Sequence, residues 1–200
     1  MKEDETRRMI VEGAKKLFQT YGFTRITVDE IAVNLKISKK TIYKHFPTKD
    51  DLIWSVILSI QQPIAAAMVQ IMDSDMDFYE STMEIVGIFQ TLFPQITPPM
   101  IQDMRAIPHI WERIDVIRRQ VILSQLGKLL ERGQRSGDVR KDLDVKFMTT
   151  LWLHIVSTMM TPQGMTDLGM TPGEFVPKLM STLMTGVLTE QGRKKLGGAP

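Results

Sequence analysis

The stretch Ser38-Lys39-Lys40-Thr41-Ile42-Tyr43-Lys44-His45-Phe46-Pro47 decides how the rest of this chain is read. Ser38 is an N-cap residue, able to accept from the backbone N–H groups that a helix start leaves without partners. Pro47 ends the helix, because the residue before a proline is pushed out of helical geometry. The segment between them cannot hold itself, since isolated helices below about 12 residues are marginal in water. Its anchors must be Ile42 and Phe46, which share one face at i, i+4 spacing. Its other side chains are Lys39, Lys40, Thr41, Tyr43, Lys44 and His45. All of these can donate a hydrogen bond and none carries negative charge.

Working outward, Thr27-Val28-Asp29-Glu30-Ile31-Ala32 opens a preceding helix. Thr27 with Glu30 at the third helical position is a capping box. On the other side Thr48 caps a further helix, with Asp50 and Asp51 favourably placed in its first turn. Two short helices separated by Lys36-Ile37 have the dimensions of a DNA-binding helix-turn-helix. An apolar back and a cationic, donor-rich front suit the groove of a polyanion. The plainer alternative is a solvated basic face, but caps, turn, anchors and charge all agree on the first reading.

Residues 24 to 54 resemble the DNA-binding domain of TetR-family transcriptional regulators. That family's pattern is a Thr-x-x-x-Ile-Ala helix, a Val-Ser turn, a Thr-Ile-Tyr-x-His-Phe recognition helix and a Lys-x-x-Leu helix start. Here it reads as Thr27 to Ala32, Ile37-Ser38, Thr41 to Phe46 unbroken, and Lys49 with Leu52. With the first helix the resemblance spans about 50 residues and rests on motif matching. The remainder resembles the family only in length and helical texture. Two positions depart from the pattern. Lys36 stands where the family usually has Gly, at a cost of roughly 1 kcal/mol in a left-handed turn. Lys40 stands where the family often has Gly, and its long side chain can reach a base edge or a phosphate.

The resemblance implies an all-α fold: a three-helix helix-turn-helix domain over residues 1–48, then a larger helical regulatory and dimerisation domain over residues 49–200. It implies duplex DNA contacts from Thr27, Ser38, Lys39, Lys40, Thr41, Tyr43, Lys44, His45 and Lys49.

Composition is consistent with this. The chain has 200 residues, 43% apolar and 24% charged, enough for a core in one or two domains. There is no cysteine, so disulfides, thiolate metal sites and cysteine nucleophiles are excluded. The start Met1-Lys2-Glu3-Asp4-Glu5-Thr6-Arg7-Arg8 lacks the apolar core of a secretion signal. No apolar run is read as reaching the ~18 residues of a membrane span, and Phe147 to Met160 comes nearest. A cytoplasmic location is expected. The net charge of +2 is uneven: residues 1–50 carry 11 Lys/Arg against 7 Asp/Glu, and residues 51–200 carry 14 against 16. A basic head on a slightly acidic body suits a nucleic-acid reader with a second function.

Everything along the chain reads helical. Helices are expected over about 5–21, 28–35, 39–46, 49–72, 78–93, 99–107, 108–134, 145–161 and 172–190. Pro63 should kink the fourth or mark its effective end. Residues 162–170 are expected to form a loop, and the tail from Gly192 to fray. The alternating aspartates Asp73, Asp75 and Asp77 lack the Gly and Glu of a calcium loop. No metal or cofactor is expected.

The last two expected helices are apolar on more than one face, so the second face needs a partner. In regulators of the resembled family the last two helices form a four-helix homodimer interface. Here that assigns Trp152, Ile155, Val156, Met159, Leu179, Leu183 and Val187 to dimer contact, unless both faces bury within one core. Thirteen of the 15 methionines lie beyond residue 50, and methionine suits adaptable apolar cavities. In the family the fourth to seventh helices enclose an effector pocket, which implies Met68, Met72, Phe89, Phe93, Met100, Met104 and Trp111 as its lining. Glu84 or Asp103 could offset a cationic ligand, but a mostly apolar effector fits this composition better. His109 and His154 read as satisfied or exposed histidines, and Asp115 with Arg118 and Arg119 as surface pairs.

The resulting expectation is a ligand-responsive DNA-binding transcriptional regulator, a repressor released from its operator by a small, mostly apolar effector. An all-helical enzyme is disfavoured by the absence of cysteine, of paired metal-spaced histidines, and of phosphate-loop or serine-elbow motifs. An architectural DNA binder without effector is the remaining alternative.

Overall fold

The computed structural model describes residues 2–197. Its α-helices are α1 (Lys2–Tyr21), α2 (Val28–Leu35), α3 (Lys39–His45), α4 (Lys49–Asp73), α5 (Phe78–Leu92), α6 (Pro98–Ala106), α7 (Pro108–Val121), α8 (Gly127–Ser136), α9 (Val145–Met159), α10 (Pro162–Leu168), α11 (Pro172–Val187) and α12 (Glu190–Gly197). The chain is all-helical, and its described residues hold no strand beyond the isolated bridge Val139–Leu188.

The expected helix over 108–134 is interrupted by a π-turn at Ile122–Leu126. Residues 162–168 coil into α10 rather than a loop, because Thr161 caps Gly164 N–H at 3.0 Å and Pro162 pre-sets the first turn. The expected frayed tail is also corrected: α12 runs through most of it, and residues 198–200 lie outside the described part. Helix α4 is long and apolar enough to cross a membrane by length and composition, contrary to the expectation that no stretch is. Leu52, Ile53, Val56, Ile57 and Ile60 of that helix are buried within the fold.

The chain divides into two compact units. The first comprises residues up to Pro63 together with Gln95–Arg113. Ile10, Ala14 and Phe18 of α1, Phe23, Ile31 of α2, Ile42, Phe46, and the first half of α4 supply its buried side chains. Phe18 and Phe23 meet edge to face at 5.2 Å. Helix α6 packs on α1. Asp103 accepts from Thr24 N–H at 2.8 Å and Thr24 Oγ1 at 2.9 Å. Thr97 donates to Gln19 O at 2.7 Å, and Gln19 Nε2 donates to Gln95 O at 3.0 Å. Gly22 turns with φ +85°, and a Cβ there would run into Asp103, so the same glycine ends α1 and admits the clasp. The start of α7 is held to α4 by His109–Asp50 at 3.1 Å and by Arg113 stacked 3.8 Å from the Trp54 ring centroid.

The second unit comprises Ile64–Pro94 and the residues from Ile114 on. Helix α5 packs against α8, α11 and α12. Phe78, Ile85, Leu129, Leu130, Trp152, Val156, Met180, Met184 and Val187 belong to one core cluster. Gly133 of α8 lies so close to Phe78 and Val139 that a Cβ would collide with both. Arg132 closes the end of α4. One guanidinium nitrogen donates to Ile71 O, Met76 O and the buried Ser81 Oγ at 3.3, 3.0 and 2.7 Å. The other donates to Met72 O and Ser74 O at 2.7 and 3.1 Å. The orphan carbonyls of a helix C-terminus and the chain beyond it are thereby satisfied by one planar donor fork. Helix α12 is locked by Asp138, whose buried carboxylate accepts from Lys195, Ser136 and Gln191.

Arg132→Ala should destabilise the second unit by about 3 kcal/mol, since it strands several carbonyls and a buried hydroxyl. Arg132→Lys should recover less than half of the loss, because an ammonium cannot fork. Chemical denaturation followed by fluorescence in a Trp54→Phe, Trp111→Phe background, where Trp152 alone reports, measures both.

The Asp138 lock has a defined pH window. Burial, the largest single influence, pushes the Asp138 carboxyl up, but hydrogen bonds from Lys195, Ser136 and Gln191 and the charge of Lys195 together hold it below its usual value. A carboxyl lowered by folding stabilises above its unfolded pKa of about 3.9 and loses that contribution as pH falls through the lowered value. Lys195 is raised by its hydrogen bond to Asp138, so its share is present below its unfolded pKa and lost as pH rises through the raised one. Amide exchange in α12 should therefore stay protected through neutral pH and accelerate in acid before the core of α5 does.

Candidate nucleic-acid interface

The recognition element is built from local chemistry. Thr27 Oγ1 accepts from Glu30 N–H at 3.2 Å while Glu30 accepts from Thr27 N–H at 2.7 Å, closing the capping box. Lys36 takes φ 55°, the single left-handed non-glycine among the described residues, and its N–H meets the carbonyls that end α2. Ile37 N–H donates to Ala32 O at 3.0 Å, completing the stop. Ser38 Oγ then accepts from Thr41 N–H at 3.0 Å and starts α3. Ile42 and Phe46 are 1% and 2% exposed, so the back of α3 is fixed. Arg7 of α1 lies 4.9 Å from the Phe46 ring centroid and donates to Ser55 at 3.1 Å.

The front of α3 is open. Ser38, Lys39, Lys40, Tyr43 and Lys44 are exposed; Thr41 and His45 are half-buried. Lys40 makes no ion pair among the described residues. Lys39 Nζ lies 2.9 Å from Asp29, and Lys44 Nζ lies 3.0 Å from Glu3. Thr27 is exposed at the start of α2. Lys49 is half-buried, with Nζ 3.5 Å from Thr24 O. Burial lowers the Lys49 ammonium pKa, opposed by Asp103, Asp50 and Glu30. The geometry brings the named α3 donors onto one surface of the first unit, with Thr27 and Lys49 at the starts of the flanking helices.

The remaining sequence-derived sites fall differently. Met68 and Met72 are buried in the core of the second unit with Phe89 packed against it. Met100 and Met104 are buried in the first unit, where Trp111 also belongs. The side chain of Phe93 lies outside the described residues. Asp103 is spent on Thr24 and Glu84 is exposed, so neither is a free counter-charge turned inward. Of the residues assigned to dimer contact, Trp152, Val156 and Val187 are core side chains, already buried within their own unit. Ile155, Leu179 and Leu183 are half-buried and Met159 is exposed. The exposed apolar residues of α9 are Phe147, Leu151 and Met159, and His154 is exposed beside them. Arg118 is not an ordinary surface partner: its side chain is 14% exposed, 3.9 Å from Asp115, which also accepts from Ser157. Sequence reasoning missed the pairs that Glu3 and Asp29 make with α3, since neither lies at a helical spacing from its lysine.

A family model described as "Bacterial regulatory proteins, tetR family" matches residues 10–56. An uncharacterised HTH-type transcriptional regulator of Mycobacterium tuberculosis (strain ATCC 25618 / H37Rv) is 30% identical over 96 residues, 47% of this chain. The match covers 41% of that relative, so the chain spans less than half its length. A TetR-family transcriptional regulator from Agrobacterium tumefaciens superposes with a TM-score of 0.69 at 14% identity, over 94% of this chain and 100% of that one. The regulator FadR from Bacillus subtilis in complex with stearoyl-CoA gives 0.67 at 18% identity, over 90% and 98%. These superpositions show a shared all-helical fold, and the matched domain contains every capping, turn and anchoring residue of the α2–α3 element. The domain over residues 10–56 is thus one of the tetR family of bacterial regulatory proteins.

Proposed function

We propose that this protein is a cytoplasmic, homodimeric transcriptional repressor that reads duplex operator DNA through α3 and is released by a small, mostly apolar effector. The observation that carries the reading is the front of α3: Lys39, Lys40, Tyr43 and Lys44 exposed on a helix whose back is fixed by Ile42 and Phe46. Phosphate contacts supply affinity and base-edge contacts supply sequence preference. Lys40, Tyr43 and Lys44 are long enough for either. Thr27, Ser38 and Lys49 sit at helix starts, where hydroxyl, ammonium and backbone N–H groups suit phosphate oxygens. Family membership argues for regulation rather than catalysis.

Twofold operators call for twofold proteins. Phe147, Leu151, His154 and Thr158 follow one another along one exposed stripe of α9. With Ile155, Met159, Leu179 and Leu183 they are the side chains we assign to the dimer contact, backed from within by Trp152, Val156 and Val187. For the effector, the second unit offers a core rich in Met68, Met72, Met180 and Met184, side chains that can repack around an apolar guest. A ligand of this kind, such as the acyl chain of the stearoyl-CoA bound to the Bacillus subtilis protein, shifts the DNA equilibrium only by its preference for the released conformation.

The test is binding to genomic fragments selected by the protein itself, followed by fluorescence anisotropy. Lys40→Ala removes a cation that makes no ion pair among the described residues, so it should weaken binding and flatten the salt slope by about 0.9. Unchanged affinity and slope would remove α3 from the interface.

The dimer contact is checked by contrasting two substitutions. Leu151→Glu, at an exposed position, should give a folded monomer by sedimentation velocity. Val156→Asp should unfold the second unit, because it buries an unpaired charge in the core. A Leu151→Glu dimer as tight as the wild type would exclude this face of α9.

A further inference from the structure

We infer that Glu3 and Asp29 are built-in competitors of DNA, carboxylates that occupy two of the three lysines of α3 so that this helix binds a duplex by exchanging carboxylate for phosphate. The inference rests on the reading of α3 as a DNA-contacting helix.

The geometry is direct. Lys44 Nζ is 3.0 Å from Glu3 Oε1, and Lys39 Nζ is 2.9 Å from Asp29 Oδ2, both at the distance of charge-assisted hydrogen bonds. The carboxylates approach from two different elements, α1 and α2, onto the exposed face of α3. All four side chains are about half exposed or more, so no burial locks either pair, and a phosphate can take the place of each carboxylate. The Glu3 carboxyl is held below the usual range by the hydrogen bond and charge of Lys44, with His45 adding to it, so Glu3 is anionic wherever the duplex is. Lys39 is raised by its bond to Asp29.

The consequence follows from counterion release. Affinity for a duplex comes largely from cations released when lysines neutralise phosphates. A lysine that leaves a carboxylate for a phosphate strands that carboxylate beside a polyanion, where it must gather cations again. The net release falls, and with it both affinity and salt sensitivity. Lys40, the α3 lysine without such a partner among the described residues, contributes its full share. Glu3 and Asp29 are therefore positioning residues that set how tightly, and how steeply with salt, the helix holds DNA.

A labelled duplex of arbitrary sequence, titrated by anisotropy across a salt series, reads this directly. Glu3→Gln should tighten binding roughly threefold to fivefold in ~0.1 M salt, the ceiling for an exposed pair. It should steepen the salt slope by up to roughly 0.9. In a Lys44→Ala background the same substitution should change affinity by less than roughly twofold, the scatter of such cycles. Asp29→Asn should show the same dependence on Lys39. Glu5→Gln, an equal charge change in the same turn of α1, should act less than Glu3→Gln. An equal gain from Glu3→Gln with and without Lys44 would overturn the inference, since Glu3 would then act as a diffuse charge. No gain from Glu3→Gln overturns it as well. A wild-type chain that leaves the duplex free at every salt concentration overturns the DNA-binding reading itself, and the wild-type titration tells the two failures apart.

Discussion

The insertion of Ile42 and Phe46 into the core of the first unit is the constraint on which the rest depends. A seven-residue helix has no stability of its own. Its orientation is therefore borrowed from α1, α2 and the first half of α4, whose buried residues receive those two side chains. Helix α1 contributes twice, through its core residues Ile10, Ala14 and Phe18 and through Arg7 over the Phe46 ring. The Lys36 turn tolerates its left-handed backbone because Lys36 and Ile37 N–H groups satisfy the last carbonyls of α2. Remove the anchoring and the donors of α3 lose a common surface.

The first unit extends well past the motif. The motif suggests a division at residue 48, whereas the compact unit also takes α4 up to Pro63 and the separate segment Gln95–Arg113. The clasp explains why. Asp103, Thr97 and Gln95 hold α6 and the turn before it to the end of α1 and the α1–α2 loop. These bonds join residues 76 to 79 apart in sequence. A helix that lies far down the chain is thus part of the body that fixes the recognition element.

What was legible in the sequence was local. Thr27 with Glu30, Ser38 and Pro47 mark helix starts and stops by short-range chemistry, and each lies where the helix boundary falls. Ile42 and Phe46 were readable because one face of a short helix leaves no other choice. What was not legible depends on residues distant in the chain. Nothing near Arg132 says that it caps a helix ending some sixty residues earlier, and nothing near Asp138 says that Lys195 will meet it. Helical spacing alone cannot tell which apolar face of α9 is inside, and Trp152 and Val156, which that spacing offers as contacts, are core. For the same reason composition cannot separate Met68 from Met100, which are buried in different units.

The way charges are held separates structure from function. Arg132 makes five hydrogen bonds in a partly buried site, and Asp138 is fully buried with three side-chain partners. Removing either leaves polar groups stranded in low dielectric, so these charges are committed to the fold. The lysines of α3 are held in the opposite way: one exposed carboxylate each for Lys39 and Lys44, and none among the described residues for Lys40. Exposed pairs are worth little and exchange readily with other ions. A cation that is to bind a phosphate must be one the fold can release at small cost. Lys39, Lys40 and Lys44 lie on a helix whose back is fixed by the burial of Ile42 and Phe46, so releasing their carboxylates leaves the helix where it was.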